Sequence, residues 1–131
     1  MSLGDSSTEL KKVRGLGSAK EGGEHWIGER VSSVALLLLG TWLIASLLML
    51  PALDHATVSE WLRTPLGAVP MALFVITSFC HGLDGLKVVV DDYVHDDGNR
   101  IALHYFLTMV AIGGASVALF ALARIVFGTG A

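Results

Sequence analysis

The chain has 131 residues, of which 53% are hydrophobic and 16% charged. That balance lies well off the soluble average and marks an integral membrane protein of a single domain. A formal net charge of -3 excludes reading the whole chain as a nucleic-acid binder, because no basic excess exists to displace counterions from phosphates.

The first 28 residues are rich in Gly and Ser and carry Lys11, Lys12, Arg14 and Lys20 among scattered acids. Such a composition buries no core, so a flexible or surface-lying tail is expected over residues 1–28 and a membrane domain over 29–131. No apolar stretch follows the early basic residues closely enough to suggest a cleaved signal peptide. The run VSSVALLLLGTWLIASLLML, residues 31–50, is uncharged and matches the roughly 20 residues that cross ~30 Å of hydrocarbon. Pro51 stops it. A polar connection, PALDHATVSEWLRTP, follows, with Trp61 and Arg63 placed as interfacial anchors would be. The second span, residues 66–90, tolerates Pro70 in its first turns and is interrupted by His81, Asp84 and Lys87. Beyond an acidic loop, residues 101–127 supply a third span, with Arg124 close enough to its end to snorkel. The expected fold is all-α, with three transmembrane helices and the termini on opposite sides of the membrane.

Orientation follows from basic residues flanking the spans. The tail and Arg30 give several on the amino-terminal side, whereas the first connection offers only Arg63. The amino terminus and the loop from Asp91 to Arg100 are therefore expected on the cytoplasmic side, and the carboxyl terminus outside.

His81 precedes the inner end of the second span by about ten residues, on the order of 13 to 15 Å, which sets it near the bilayer midplane. Ionisable groups at that depth mark cofactors, ion paths or interhelical pairs. Imidazole is a common haem-iron ligand; equally, a hydroxyl or carbonyl on a neighbouring helix satisfies such a histidine. Gly85, one turn on over the same face, would let a flat porphyrin lie against the backbone, although a helix-packing notch reads the same way. His104 lies only ~6 Å inside the inner boundary, so its depth does not match His81 and a second axial ligand is expected from another subunit. His25, His55 and His95 fall in polar segments and read as solvated. Asp84 and Lys87, spaced i, i+3, can neutralise one another on one helix face, or line a water-filled proton path. Cys80, the lone cysteine, reads as a small buried hydrophobe. Asp92 and Tyr93 fall at the inner interface, where a tyrosine commonly serves as an anchor.

Taken together, HGLDGLKVVVDDYVH has a spacing of its own: His81, Gly85, then Asp92 and Tyr93 eleven and twelve positions after the histidine. This resembles the smaller membrane-anchor subunit of succinate dehydrogenase, respiratory complex II, whose pattern is a haem-ligating histidine, a glycine four residues on and an Asp-Tyr pair ending the same helix. HWIGERVSSVALLLL resembles the same family's entry to its first span, and the likeness covers residues 24 to 127. The resemblance implies three helices forming part of a heteromeric bundle in a prokaryotic inner membrane. It implies that His81 ligates haem b opposite a ligand from the larger cytochrome b anchor subunit, with Gly85 packing against the haem. It implies that Tyr93, supported by Asp92, hydrogen-bonds a quinone, ubiquinone or menaquinone, and that Arg30 lies near the haem propionates or the quinone pocket. The implied partners are the larger anchor subunit, an iron-sulfur subunit, a flavoprotein subunit and membrane lipid. Asp84 and Lys87 depart from the family's pattern, where uncharged residues are expected, and His25, five residues before Arg30, is left without an assigned match to the histidine some relatives carry there.

The chain has no dinucleotide fingerprint and no cysteine set for iron-sulfur clusters. Succinate oxidation is thus expected in the assembly and not in this chain, which reads as a non-catalytic anchor completing a quinone site. The competing reading is a self-contained membrane protein: a homo-oligomeric b-type cytochrome, or a small proton-conducting or regulatory protein using Asp84 and Lys87.

Overall fold

The computed structural model describes residues 22–128. Four helices follow one another in the chain: α1 (Gly22–Met49), α2 (His55–Arg63), α3 (Pro65–Tyr93) and α4 (Asp97–Phe127). Three of them, Trp26–Met49 within α1, then α3 and α4, are long and apolar enough to cross a membrane. At about 1.5 Å per residue, the 29 residues of α3 and the 31 of α4 each exceed ~30 Å of hydrocarbon, so both have turns to spare beyond the lipid. The chain is a multi-pass membrane protein.

Each helix begins and ends on local chemistry. Thr64 serves two helices, donating its hydroxyl to the Trp61 carbonyl at 2.7 Å to close α2 and accepting from Gly67 N–H at 3.1 Å to open α3. Pro65 then occupies the first helical position, where a missing N–H costs nothing. Asp96 caps α4 by accepting from Asn99 N–H at 2.8 Å. Inside the spans, the hydroxyls of Thr41, Thr108 and Ser116 donate to carbonyls four residues back at 2.7 Å, which satisfies them where no water is at hand.

Helix α3 is the centre of the arrangement. It packs antiparallel to α1 on one side and to α4 on the other, while the backbones of α1 and α4 do not approach each other. Short α2 closes the end of the bundle remote from Tyr93: Trp61 stacks on Trp42 of α1 with ring centroids 5.6 Å apart, and Arg63 Nε donates to the Ile125 carbonyl of α4 at 3.1 Å. Trp61 and Arg63 therefore bind the helices to one another as well as standing at a span boundary.

Several expectations are corrected. Helix α1 begins at Gly22, and residues 1–21 of the expected tail lie outside the described residues, so the tail expected over 1–28 stays an expectation. The polar connection holds a nine-residue helix, because Asp54 caps it through Thr57 N–H at 2.8 Å. The acidic loop shrinks to Val94–Asp96, since α3 and α4 both run past the apolar stretch. Cys80 is exposed, not buried, as it points away from the neighbours of α3. Asp84 and Lys87 form no ion pair among the described residues, and both are only half-buried.

Candidate functional site

The site is built along α3, whose unbroken course from Pro65 to Tyr93 fixes the spacing of every group on it. His81 and Tyr93 are twelve residues apart, about 18 Å along the axis. His81 is half-buried and turns toward α1, where its Nδ1 lies 2.9 Å from Ser32 Oγ. That hydroxyl also donates to the Glu29 carbonyl at 2.9 Å. The hydroxyl partner weighed for His81 from sequence is therefore present, but it occupies one ring nitrogen only; Nε2 has no hydrogen-bond partner among the described residues.

This donor set suits a metal ligand. Ligating imidazoles usually hold their second ring nitrogen in a hydrogen bond that fixes the ring, which is what the Ser32 contact provides. The face beside His81 is open as well. A β-carbon built at Gly85 meets nothing within 4 Å, so it leaves flat backbone toward whatever lies outside this chain, whereas Gly82 lines a groove with Leu107, Val110 and Ala111 of α4. A free imidazole nitrogen beside bare helix surface is a donor set that a flat metal-bearing group could use.

Arg30 lies on the same side of α3 as Ser32. Its guanidinium stands over the Trp26 ring, 3.7 Å from the centroid, which steadies the cation while leaving its N–H edge available to anions. In the antiparallel register set by Ser32 opposite His81, the first turns of α1 run beside the last turns of α3, which brings Trp26 and Arg30 to the Tyr93 half of the bundle. Tyr93 is 77% exposed, and Asp92 and His95 are exposed beside it at the rim, so the phenol is presented outward and not spent within the chain.

A second polar group, not anticipated from sequence, joins α3 to α4 at this rim. His104 Nε2 lies 3.1 Å from Asp91 Oδ1, and Arg100 Nε lies 4.0 Å from the same oxygen. The His104 approach is close enough for charge attraction, yet it is misaligned as a hydrogen bond, and Nε2 is shut off from solvent without another partner. Arg100 also holds the Asp97 carboxylate within α4. His104 thus faces α3 while His81 faces α1, and the two histidines do not meet. Lys87 lines a cleft of about 490 Å3 with His104, Tyr105 and Thr108. The only sequence signal for this group was an acid and two bases on either side of one short loop. Ser32 had a better one, as the first hydroxyl after Arg30.

Among known proteins, the family described as "Succinate dehydrogenase/Fumarate reductase transmembrane subunit" matches residues 5–122. A succinate dehydrogenase hydrophobic membrane anchor subunit from Rickettsia bellii is 32% identical over 113 residues, covering 82% of this chain and 90% of that protein. The protein of the same name from Paracoccus denitrificans is 32% identical over 121 residues, 92% of this chain and 93% of its own. That from Rickettsia conorii is 34% identical over 91 residues, covering 69% and 72%.

Proposed function

The chain belongs to the succinate dehydrogenase/fumarate reductase transmembrane subunit family, and from that premise we propose that it helps bind haem b and forms part of the quinone site of its complex. It is a membrane-anchor subunit of succinate dehydrogenase, without catalytic activity on its own. His81 would hold the haem iron from this chain, with a further ligand from the larger cytochrome b anchor subunit, and Gly85 would give the haem a flat surface. When bound, haem b supplies a one-electron store beside the route from the iron-sulfur subunit to the quinone. The flavoprotein subunit oxidises succinate upstream.

Reduction of a quinone needs two electrons and two protons, so its site belongs where lipid, an electron donor and water meet. The rim end of α3 has that character. Tyr93 donates a hydrogen bond to the quinone carbonyl as negative charge develops on it, the way fixed donors stabilise oxyanions elsewhere. Asp92 supports that phenol, and Asp92, His95 or water supplies protons. Arg30, held over Trp26, faces the haem propionates or the quinone pocket with a guanidinium suited to carboxylates. Lys11, Lys12, Arg14 and Lys20 precede the first span and Arg30 lies in its first turns, against Arg63 alone after it, which supports a cytoplasmic amino terminus, a cytoplasmic Tyr93 rim and an outer carboxyl terminus in a prokaryotic inner membrane.

The observation that carries this reading is one continuous helix bearing an imidazole with a free Nε2 and, twelve residues later, an outward phenol. In the purified complex, His81→Ala should abolish or alter the low-spin haem spectrum. Tyr93→Phe should keep that spectrum and lower succinate:quinone turnover by about 100-fold, the lower end of what removing one oxyanion donor costs. Unchanged turnover in Tyr93→Phe would remove the phenol from the site.

A further inference from the structure

Ser32 has a single hydroxyl proton and two neighbours that could take it. The Glu29 carbonyl, 2.9 Å away, can only accept, and it also receives the Ser33 hydroxyl at 2.7 Å, whereas His81 Nδ1, likewise 2.9 Å away, can donate or accept. With the proton directed at the carbonyl, Oγ meets the imidazole as an acceptor, so Nδ1 carries the ring hydrogen and Nε2 carries the lone pair. The reverse arrangement would put hydrogen on Nε2 and leave no lone pair there for a metal.

We infer that Ser32 is a positioning residue for His81, which selects the Nδ1–H tautomer, holds the ring plane against α1 and so makes Nε2 the ligating atom. The inference rests on His81 being the haem ligand proposed above, and adds to it a residue on a different helix. Two features on α1 make the selection. Glu29 and Ser32 are one helical turn apart, so the carbonyl is delivered to the hydroxyl by the helix itself. Antiparallel packing of α1 on α3 then brings residue 32 opposite residue 81. An acceptor on Nδ1–H also makes the imidazole a stronger electron donor through Nε2, which favours the oxidised iron and lowers the haem potential.

The test uses the purified complex, with the optical spectrum, haem content, a redox titration and the electron paramagnetic resonance of the oxidised haem as readouts. Ser32→Ala should weaken haem retention by roughly tenfold, the smaller loss seen when such supporting partners are removed. It should also raise the haem midpoint potential and change the resonance anisotropy, because ring orientation is no longer held. Ser32→Thr, which keeps the hydroxyl, should restore the wild-type potential. If Ser32→Ala does not assemble, Ser32→Cys, with a poorer acceptor of similar size, should move the potential the same way. His81→Ala is measured alongside. A lost low-spin signal in His81→Ala combined with wild-type potential and resonance in the Ser32 variants overturns the role of Ser32 alone. A low-spin signal that survives in His81→Ala overturns the haem assignment, and with it this inference.

Discussion

Two glycines show how differently single positions constrain the bundle. A β-carbon at Gly114 would come 2.6 Å from Phe79 Cε1 and 2.9 Å from its Cζ, so the ring of α3 has to move before α4 can pack beside it. A β-carbon at Gly67 would instead overlap the Trp61 carbonyl oxygen and lie 3.1 Å from Leu62 Cα, and backbone cannot swing aside as a ring can. Gly114→Ala should therefore cost about 1 kcal/mol and Gly67→Ala about 3 kcal/mol, the two ends of the usual penalty for overpacking. Thermal unfolding of the detergent-purified complex measures both, and equal losses would contradict the ranking. Gly85→Ala adds a methyl group that this chain does not oppose, so if the proposed haem packs there its effect should be confined to haem retention, read from haem content per complex. At this scale the sequence exposes His81, Gly85 and Tyr93 through their spacing. It conceals the Ser32 contact, which joins residues 49 positions apart and exists only once α1 and α3 pack.

Among the elements, α2 is the one that hydropathy does not disclose. Its nine residues, HATVSEWLR, are too polar to cross a membrane and too short to hold together as an isolated helix, and they persist because both ends are capped and Leu62 is buried against the longer helices. The Asp54 carboxyl is held below the usual carboxylate range by the Thr57 backbone N–H first and the Thr57 hydroxyl second. A lowered pKa in the folded state means that its contribution is complete above the ordinary carboxylate value. It declines as pH falls and is gone below the lowered value. Hydrogen-exchange protection of the α2 amides, corrected for intrinsic rates, should accordingly weaken on acidification, and Asp54→Asn, which can still cap, should flatten that dependence. Thr64→Ala removes the end of α2 and the start of α3 together, and a loss of about 1 kcal/mol is expected in the same unfolding measurement. The long helices are legible because about twenty apolar residues admit few other structures. Their true ends are not, since α3 runs on to Tyr93 and the Asp96 cap starts α4 at Asp97, both beyond the apolar run.

For the molecule as a whole, burial is almost absent. Leu62 and Leu122 are the buried hydrophobic residues among those described, whereas Leu37, Leu48 and Val117 are 69%, 79% and 70% exposed. Lipid accounts for exposed apolar side chains, but the proposed haem would need a second ligand that lipid does not supply, and of the long helices only α1 and α4 flank α3. If His81 binds haem together with the partner subunit as proposed, the full chain produced in membranes without its partner subunits should lack the low-spin haem spectrum expected of the assembled complex. A spectrum retained by the chain alone would favour a self-contained homo-oligomeric cytochrome. By itself the sequence determined that three helices cross a membrane and that His81 and Tyr93 share one of them, because hydrophobic length and helical spacing are properties of a continuous stretch of chain. The tertiary structure decided which nitrogen of His81 is engaged, that Asp91 turns to His104, and that α2 fastens the far end. Each of these depends on which faces of separate helices meet, and nearly uniform apolar spans carry too little periodic variation to specify that in advance.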